Sequence, residues 1–184
     1  MNTTRSILSA ALLLPMLGLA QERFSTRNGE VSFFSSTPME NIEAVNHKAT
    51  SVLDATSGAI EFSVLIKAFE FEKALMQEHF NENYMESNTY PKATFKGRIT
   101  GISAQDIRMP GQYPVTVEGD LTMHGVTKHV TAPGIINVEP TAAVKATSTF
   151  NVKPADYNIK IPAMVRGKIA EEIQVKVAIA YEHM

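Results

Sequence analysis

Residues 115–130 read VTVEGDLTMHGVTKHV, and this stretch limits the fold more than any other part of the chain. Val115, Val117, Gly119, Leu121 and Met123 fall on one side of a two-residue period, and Thr116, Glu118, Asp120 and Thr122 on the other. A helix cannot place such a pattern on one face. A half-buried strand can, and His124-Gly125 then marks a tight hairpin turn. Histidine tolerates left-handed backbone geometry better than most residues, so His124 is read as serving that turn.

The alternation recurs along the chain. Val31, Phe33 and Ser35 oppose Ser32, Phe34 and Ser36, and a second run lies between Ile42 and Leu53. After a turn signalled by Ser57-Gly58, Ile60, Phe62, Val64 and Ile66 share a face. Phe95, Gly97 and Ile99 follow. Val126 to Val138 pairs with the opening strand, Val144 to Val152 forms another, and Ile173 to Tyr181 the last. Between Phe69 and Ser87 the period changes, because Met76, Phe80 and Tyr84 recur every four residues beside polar Glu72, Lys73, Glu78 and Glu82. This predicts one amphipathic helix, ended at Tyr90-Pro91 because proline biases its predecessor toward extended geometry. The fold class is all-β with one helix. Eight antiparallel strands close into a barrel wide enough for side chains or one small ligand, and a two-sheet sandwich is the competing architecture.

The chain contains no cysteine, so neither a disulfide nor a thiolate metal site is available and stability has to come from buried apolar surface. Residues 1–20 carry a basic Arg5, an apolar run from Ile7 to Leu19 and small residues at Gly18 and Ala20. That pattern reads as a secretory signal peptide, since the run is shorter than the roughly 20 residues of a spanning helix and contains Pro15. Residues 21–184 are then the size of a single domain. Formal charge is −2, with acids and bases interspersed, which recommends neither nucleic acid nor an anionic surface as a partner.

Catalytic patterns are missing: there is no Gly-x-Ser-x-Gly elbow, phosphate loop, dinucleotide fingerprint or His-Glu-x-x-His. Glu61 and Glu118 fall on the polar faces of their strands. His124 and His129 lie an odd number of positions apart with the first in a turn, so they project to different faces and predict no metal pair. Gly97, Gly119 and Gly167 mark bends at barrel corners or places where something approaches the backbone.

Several segments resemble the YceI-like family of polyisoprenoid-binding proteins: FEFEKALMQEHFNENYMESNTYPKATFKG, GDLTMHGVTKHV, STFNVKPADYNIKIP and IQVKVAIAYEH. Where exported proteobacterial members carry a His-Ser pair, this sequence has Asn28-Gly29-Glu30. The resemblance implies an eight-stranded, antiparallel, lipocalin-like β-barrel with an amphipathic helix, holding a long isoprenoid chain in its lumen.

Phe62, Val64, Phe69, Met76, Phe80, Phe95, Ile99, Leu121, Phe150 and Val177 are the expected lining, with the helix as one wall. The helix and the loop around Met109 to Tyr113 are the expected rim. The expected function is an exported protein, periplasmic or secreted, that transports, stores or scavenges an isoprenoid or similar lipid without catalysis. The alternative is an interaction or stress-protective module whose barrel is filled by its own side chains. No cofactor or metal is expected beyond the lipid itself. Transient membrane contact and a homodimer are both compatible with the sequence.

Overall fold

Phe24 and Val31 both point into the core although they lie an odd number of positions apart, and the reason lies in the backbone. The computed structural model describes residues 22–184, so the expected signal peptide, residues 1–20, lies outside the described residues. Strand β1 spans Arg23–Ser36 and β2 Asn41–Asp54. Their antiparallel register slips between Thr26 and Gly29 and again between Gly29 and Val31. Buried positions on β2 change from even (Ala44, Asn46) to odd (Ala49, Ser51, Leu53) across the same level. The first slip adds a residue on β1 and the second on β2, and each reverses the facing of its own strand beyond it and bends it. Sequence alternation therefore sees only the part of β1 beyond its bulge.

The remaining strands are β3 (Ala59–Leu65), β4 (Glu70–Phe71), β5 (Lys92–Thr100), β6 (Gly111–Met123), β7 (Val126–Val138), β8 (Val144–Val152) and β9 (Ile173–His183). All pairings are antiparallel, and β1 pairs with both β2 and β9. That double pairing closes β1, β2, β3, β5, β6, β7, β8 and β9 into the expected eight-stranded barrel. The two-residue β4 is an appendage on β2, matching Ala44 with Phe71.

The helix is shorter than the spacing predicts. Helix α1 occupies Ala74–His79 and continues as a π turn over Phe80–Tyr84. Ile66–Ala68 is a 3-10 turn instead, and Phe69-Glu70-Phe71 is extended. Alternating Phe-Glu-Phe suits a strand edge, so local β preference and pairing with β2 override the start of the four-residue period.

Connections alternate between the two ends of the barrel. At one end lie the loops after β2, β5 and β7, where Phe24, Leu53, Ile60, Ile99, Ile107, Val115, Ile136, Val138, Val144, Ile179 and Tyr181 pack into the main core. Ile107, from a 3-10 turn at Asp106–Arg108, is buried over this end. The Tyr181 hydroxyl lies 2.8 Å from that of Ser51 inside the core. At the other end lie α1, the β6–β7 turn, the β1–β2 turn and the long β8–β9 connection.

Gly97 and Gly119 face each other across β5 and β6. A Cβ on Gly119 would fall on the Lys96 carbonyl and the Gly97 Cα. The strands approach too closely there for any side chain, which gives these two glycines a backbone reason. Gly119→Ala is expected to destabilise the chain by about 1–3 kcal/mol through overpacking, read as a lower urea midpoint with unchanged slope.

Burial pushes the Tyr181 phenol up to about 12, against a smaller opposing effect of the Ser51 hydrogen bond. The folded chain thus keeps this proton at pH values where the unfolded chain has lost it. Stability from this group is complete below about pH 10 and declines as pH rises toward 12, by on the order of 2 kcal/mol. Tyr181→Phe is expected to flatten that decline in urea unfolding between pH 10 and 12, while costing about 1 kcal/mol at pH 7 for the unpartnered Ser51 hydroxyl.

Candidate functional site

Inward-facing side chains fall into two populations along the barrel axis. Toward the packed end, Leu53, Ile60, Ile99, Ile136, Val144 and Ile179 are buried. Toward α1, Phe62, Val64, Phe95, Val117, Leu121, Phe150 and Val177 point inward yet remain half exposed. Apolar side chains exposed inside a closed barrel mean empty space. The lumen holds a cavity of about 600 Å³, within the range of small-molecule sites. A barrel filled by its own side chains does not describe this molecule.

All ten residues expected as lining border this one cavity. Phe62 and Val64 reach it from β3, Phe95 and Ile99 from β5, Leu121 from β6, Phe150 from β8 and Val177 from β9. Phe69 enters between the 3-10 turn and β4, Met76 from α1 and Phe80 from the π turn. The parity of β3, β5, β6, β8 and β9 is unbroken, which is why counting by twos found their inner faces.

Two parts of the wall were not among the expected lining. Phe33 on β1 and Phe71 on β4 join Phe69 and Phe80 in an aromatic cluster. Phe33 stacks on Phe80 with ring centres 5.4 Å apart, and Phe71 meets Phe80 at 5.1 Å. These rings fix α1 to the barrel. The second part is the β8–β9 connection, whose Pro154, Ile159, Ile161, Val165 and Ile169 also line the cavity. It is irregular, so no period announces it.

That connection is held by specific bonds. The Ala170 amide donates to Ser35 Oγ at 2.9 Å. The β7–β8 ladder runs only from Val138 to Gly134, because Pro133 has no N–H to continue it. The Pro133 carbonyl instead accepts from the Ser148 hydroxyl at 2.7 Å. Beyond it the two strands part, and the 3-10 turn Pro154–Tyr157 lies beside β7.

His124 anchors this turn. Its φ is +51°, the left-handed geometry expected of the β6–β7 hairpin. Its Nδ1–H donates to the Tyr157 carbonyl at 3.0 Å, and Tyr90 packs on the ring at 4.6 Å. Nε2 faces Glu86 Oε1 at 3.7 Å. His129, by contrast, pairs with Asp120 on the outer surface at 3.0 Å, so the two histidines do face apart. Among the described residues, no three His, Asp or Glu side chains gather where they could hold a metal. Glu61 pairs with Lys96 at 3.2 Å on the outside of the barrel.

The mouth lies at the α1 end. Its ionisable side chains are Glu40, Lys73, His79 and Lys168, and Lys73 Nζ stands 3.7 Å from Glu40 Oε1. The Met109–Tyr113 loop, expected on the rim beside the helix, is at the opposite end. One strand, β5, separates it from the α1 connection, so the two cannot share an end. There the Tyr113 hydroxyl donates to the Met109 carbonyl at 2.9 Å. The arrangement at the mouth can take in an apolar chain lengthwise and leave a polar head among Lys73, His79 and Lys168.

His124→Ala is expected to lower unfolding stability by about 2 kcal/mol, combining the lost bond to the Tyr157 carbonyl with left-handed strain at a β-carbon. His124→Gly should recover the strain component alone, so the gap between the two urea midpoints measures it.

Comparison with known proteins follows the same lines. A family model described as the YceI-like domain matches residues 20–181. A UPF0312 protein of Pseudomonas putida (strain GB-1) is 31% identical over 101 residues, covering 51% of this chain and 48% of that protein. The chain thus spans about half the length of the curated relatives it matches. Among solved structures, a polyisoprenoid binding domain from Saccharophagus degradans superposes with a TM-score of 0.75 at 15% identity, covering 89% of this chain and 99% of that one. Burkholderia cenocepacia BcnA gives 0.69 at 18% identity, over 84% and 96%. The Campylobacter jejuni YCEI protein gives 0.56 at 11% identity, over 100% and 94%. At these identities the likeness is one of fold.

Proposed function

Given that the chain belongs to the YceI-like domain family, we propose that it binds an isoprenoid or similar long apolar chain in its lumen and transports, stores or scavenges it without chemical change. One observation carries this reading. The inner face is apolar but stops short of filling a cavity of about 600 Å³.

Magnitudes make an idle void a poor explanation. Core cavities left by truncation cost about 24 cal/mol per Å³, so a dry void of this size would cost on the order of 10 kcal/mol, as much as a whole domain's stability. Water is a poor filler because apolar walls give it no hydrogen-bond partners. An apolar guest suits the space: each buried methylene contributes about 0.8 kcal/mol, and ten of them reach roughly 8 kcal/mol before ordering costs, enough for micromolar affinity. The Saccharophagus degradans neighbour is named as a polyisoprenoid binding domain, and its fold likeness supports the same class of ligand here. In this reading the ten lining residues form the binding surface, and Met76 adapts to a flexible chain. Among the described residues the wall has no convergent titratable groups away from the mouth, which favours holding over catalysis. Export to the periplasm or beyond, through removal of residues 1–20, is part of the proposal.

The test is native mass spectrometry of the chain isolated from its own envelope, with solvent extraction of whatever is bound. A stoichiometric apolar adduct is expected. Val64 borders the lumen at the partly open level, so Val64→Trp is expected to keep the thermal transition while reducing adduct occupancy at least tenfold. A bare mass, with no uptake when long-chain isoprenoid is supplied, overturns the reading.

A further inference from the structure

The mouth end carries three of the four most exposed large apolar side chains among the described residues, and they come from three separate elements. Met164 is 94% exposed at the 3-10 turn Ala163–Val165, Met39 is 68% exposed in the β1–β2 turn, and Leu75 is 60% exposed on α1. They belong to one region. A Cβ on Gly167 would come within 2.9 Å of the Met39 sulfur, Leu75 borders the cavity, and Val165 and Lys168 border it beside Met164. The opposite end of the barrel, by contrast, is closed over by its core.

Charge at this end is unevenly placed. From Tyr157 to Ala170 the chain carries Lys160, Arg166 and Lys168 and no acid. None of the three has an ion-pair partner among the described residues, whereas Glu40 is taken by Lys73 and Glu172 by Lys153 at 3.2 Å. Glu78 lies on α1 and Glu72 just before it, while Asp156, Glu171 and Glu172 bracket the basic stretch, so the positive bias belongs to residues 157–170 of the β8–β9 connection alone. A protruding methionine flanked by unpaired cations is the chemistry of a tip that enters a headgroup layer, with the apolar side chain reaching the acyl boundary and the cations meeting anionic lipid.

We propose that this end of the barrel docks on the surface of an anionic lipid bilayer, with Met39, Leu75 and Met164 entering the interface and Lys160, Arg166 and Lys168 facing the headgroups. Docking so places the cavity mouth against the membrane, and an apolar chain can then pass between bilayer and lumen without crossing open water. The contact needs only the mouth and its surroundings, so it stands apart from the identity of whatever the lumen holds.

Vesicle flotation of the exported chain, purified from its envelope with its mass recorded, tests this. Two vesicle types are used: phosphatidylcholine alone, and phosphatidylcholine with phosphatidylglycerol. The chain is expected to float with the anionic vesicles at low salt and to be released as salt shortens the screening length. Lys160→Gln with Arg166→Gln should weaken that binding on the order of fivefold per lost cation. Met39→Gln with Met164→Gln should weaken it at any salt concentration. All four side chains are exposed and border no part of the lumen, so the variants should fold and keep the adduct mass of the parent chain. Retained adduct with lost flotation separates docking from cargo binding. The proposal is overturned if the parent chain stays in the aqueous fraction with anionic vesicles at low salt, or if both double variants float as well as it does.

Discussion

Closure of the sheet is the constraint on which the rest depends. Because β1 pairs with β2 on one side and β9 on the other, no edge of the eight-stranded ring is left along that seam, and every inward side chain faces the same enclosed space. An eight-stranded ring has a fixed interior width. Whether it is a core or a container is then decided by how much side-chain volume points inward at each level. At the packed level, Leu53, Ile60, Ile136 and Ile179 meet across the axis, with Phe24 and Tyr181 completing the layer. At the α1 level the ring splays, β7 and β8 part at Pro133, and residues of similar size no longer reach one another.

This asymmetry orders the energetics. The packed end supplies the stability, and the buried polar pair there, Tyr181 with Ser51, is satisfied internally. The open end is held by fewer and more particular contacts: the phenylalanine cluster around Phe80, the Ser35 bond to the Ala170 amide, and His124 reaching the Tyr157 carbonyl. Each joins an irregular segment to a strand, so the wall around the cavity depends on the ring without being continuous with it. Segments of that kind open at lower cost than the strands they rest on. A long guest entering lengthwise requires no more than that.

Much of the lining was legible because β3, β5, β6, β8 and β9 keep an unbroken two-residue period, so Phe62, Phe95, Leu121, Phe150 and Val177 could be assigned to one face by counting. Phe24 was not legible, because a bulge on β1 reverses the count between it and Val31. Ile159 and Ile161 were not, because turns carry no period. The helix start was placed too early, since the residues from Phe69 satisfy both a helical and a strand pattern and only the pairing of Phe71 with Ala44 decides between them. The loop at Met109–Tyr113 was assigned to the wrong end although strand order alone separates it from α1 by a single strand.

What the sequence determined by itself is the class of object: a two-residue apolar period repeated about eight times must form antiparallel strands with one dry face, and no cysteine or catalytic pattern offers another source of stability or chemistry. The tertiary structure alone decided that the dry face encloses a space rather than a packed core. Facing is a local property, set by the alternation of Cβ directions along one strand. Filling is a global one, set by ring width, bulge positions and the point at which Pro133 ends a ladder. No segment of the chain carries that sum, because it exists only once the ring has closed.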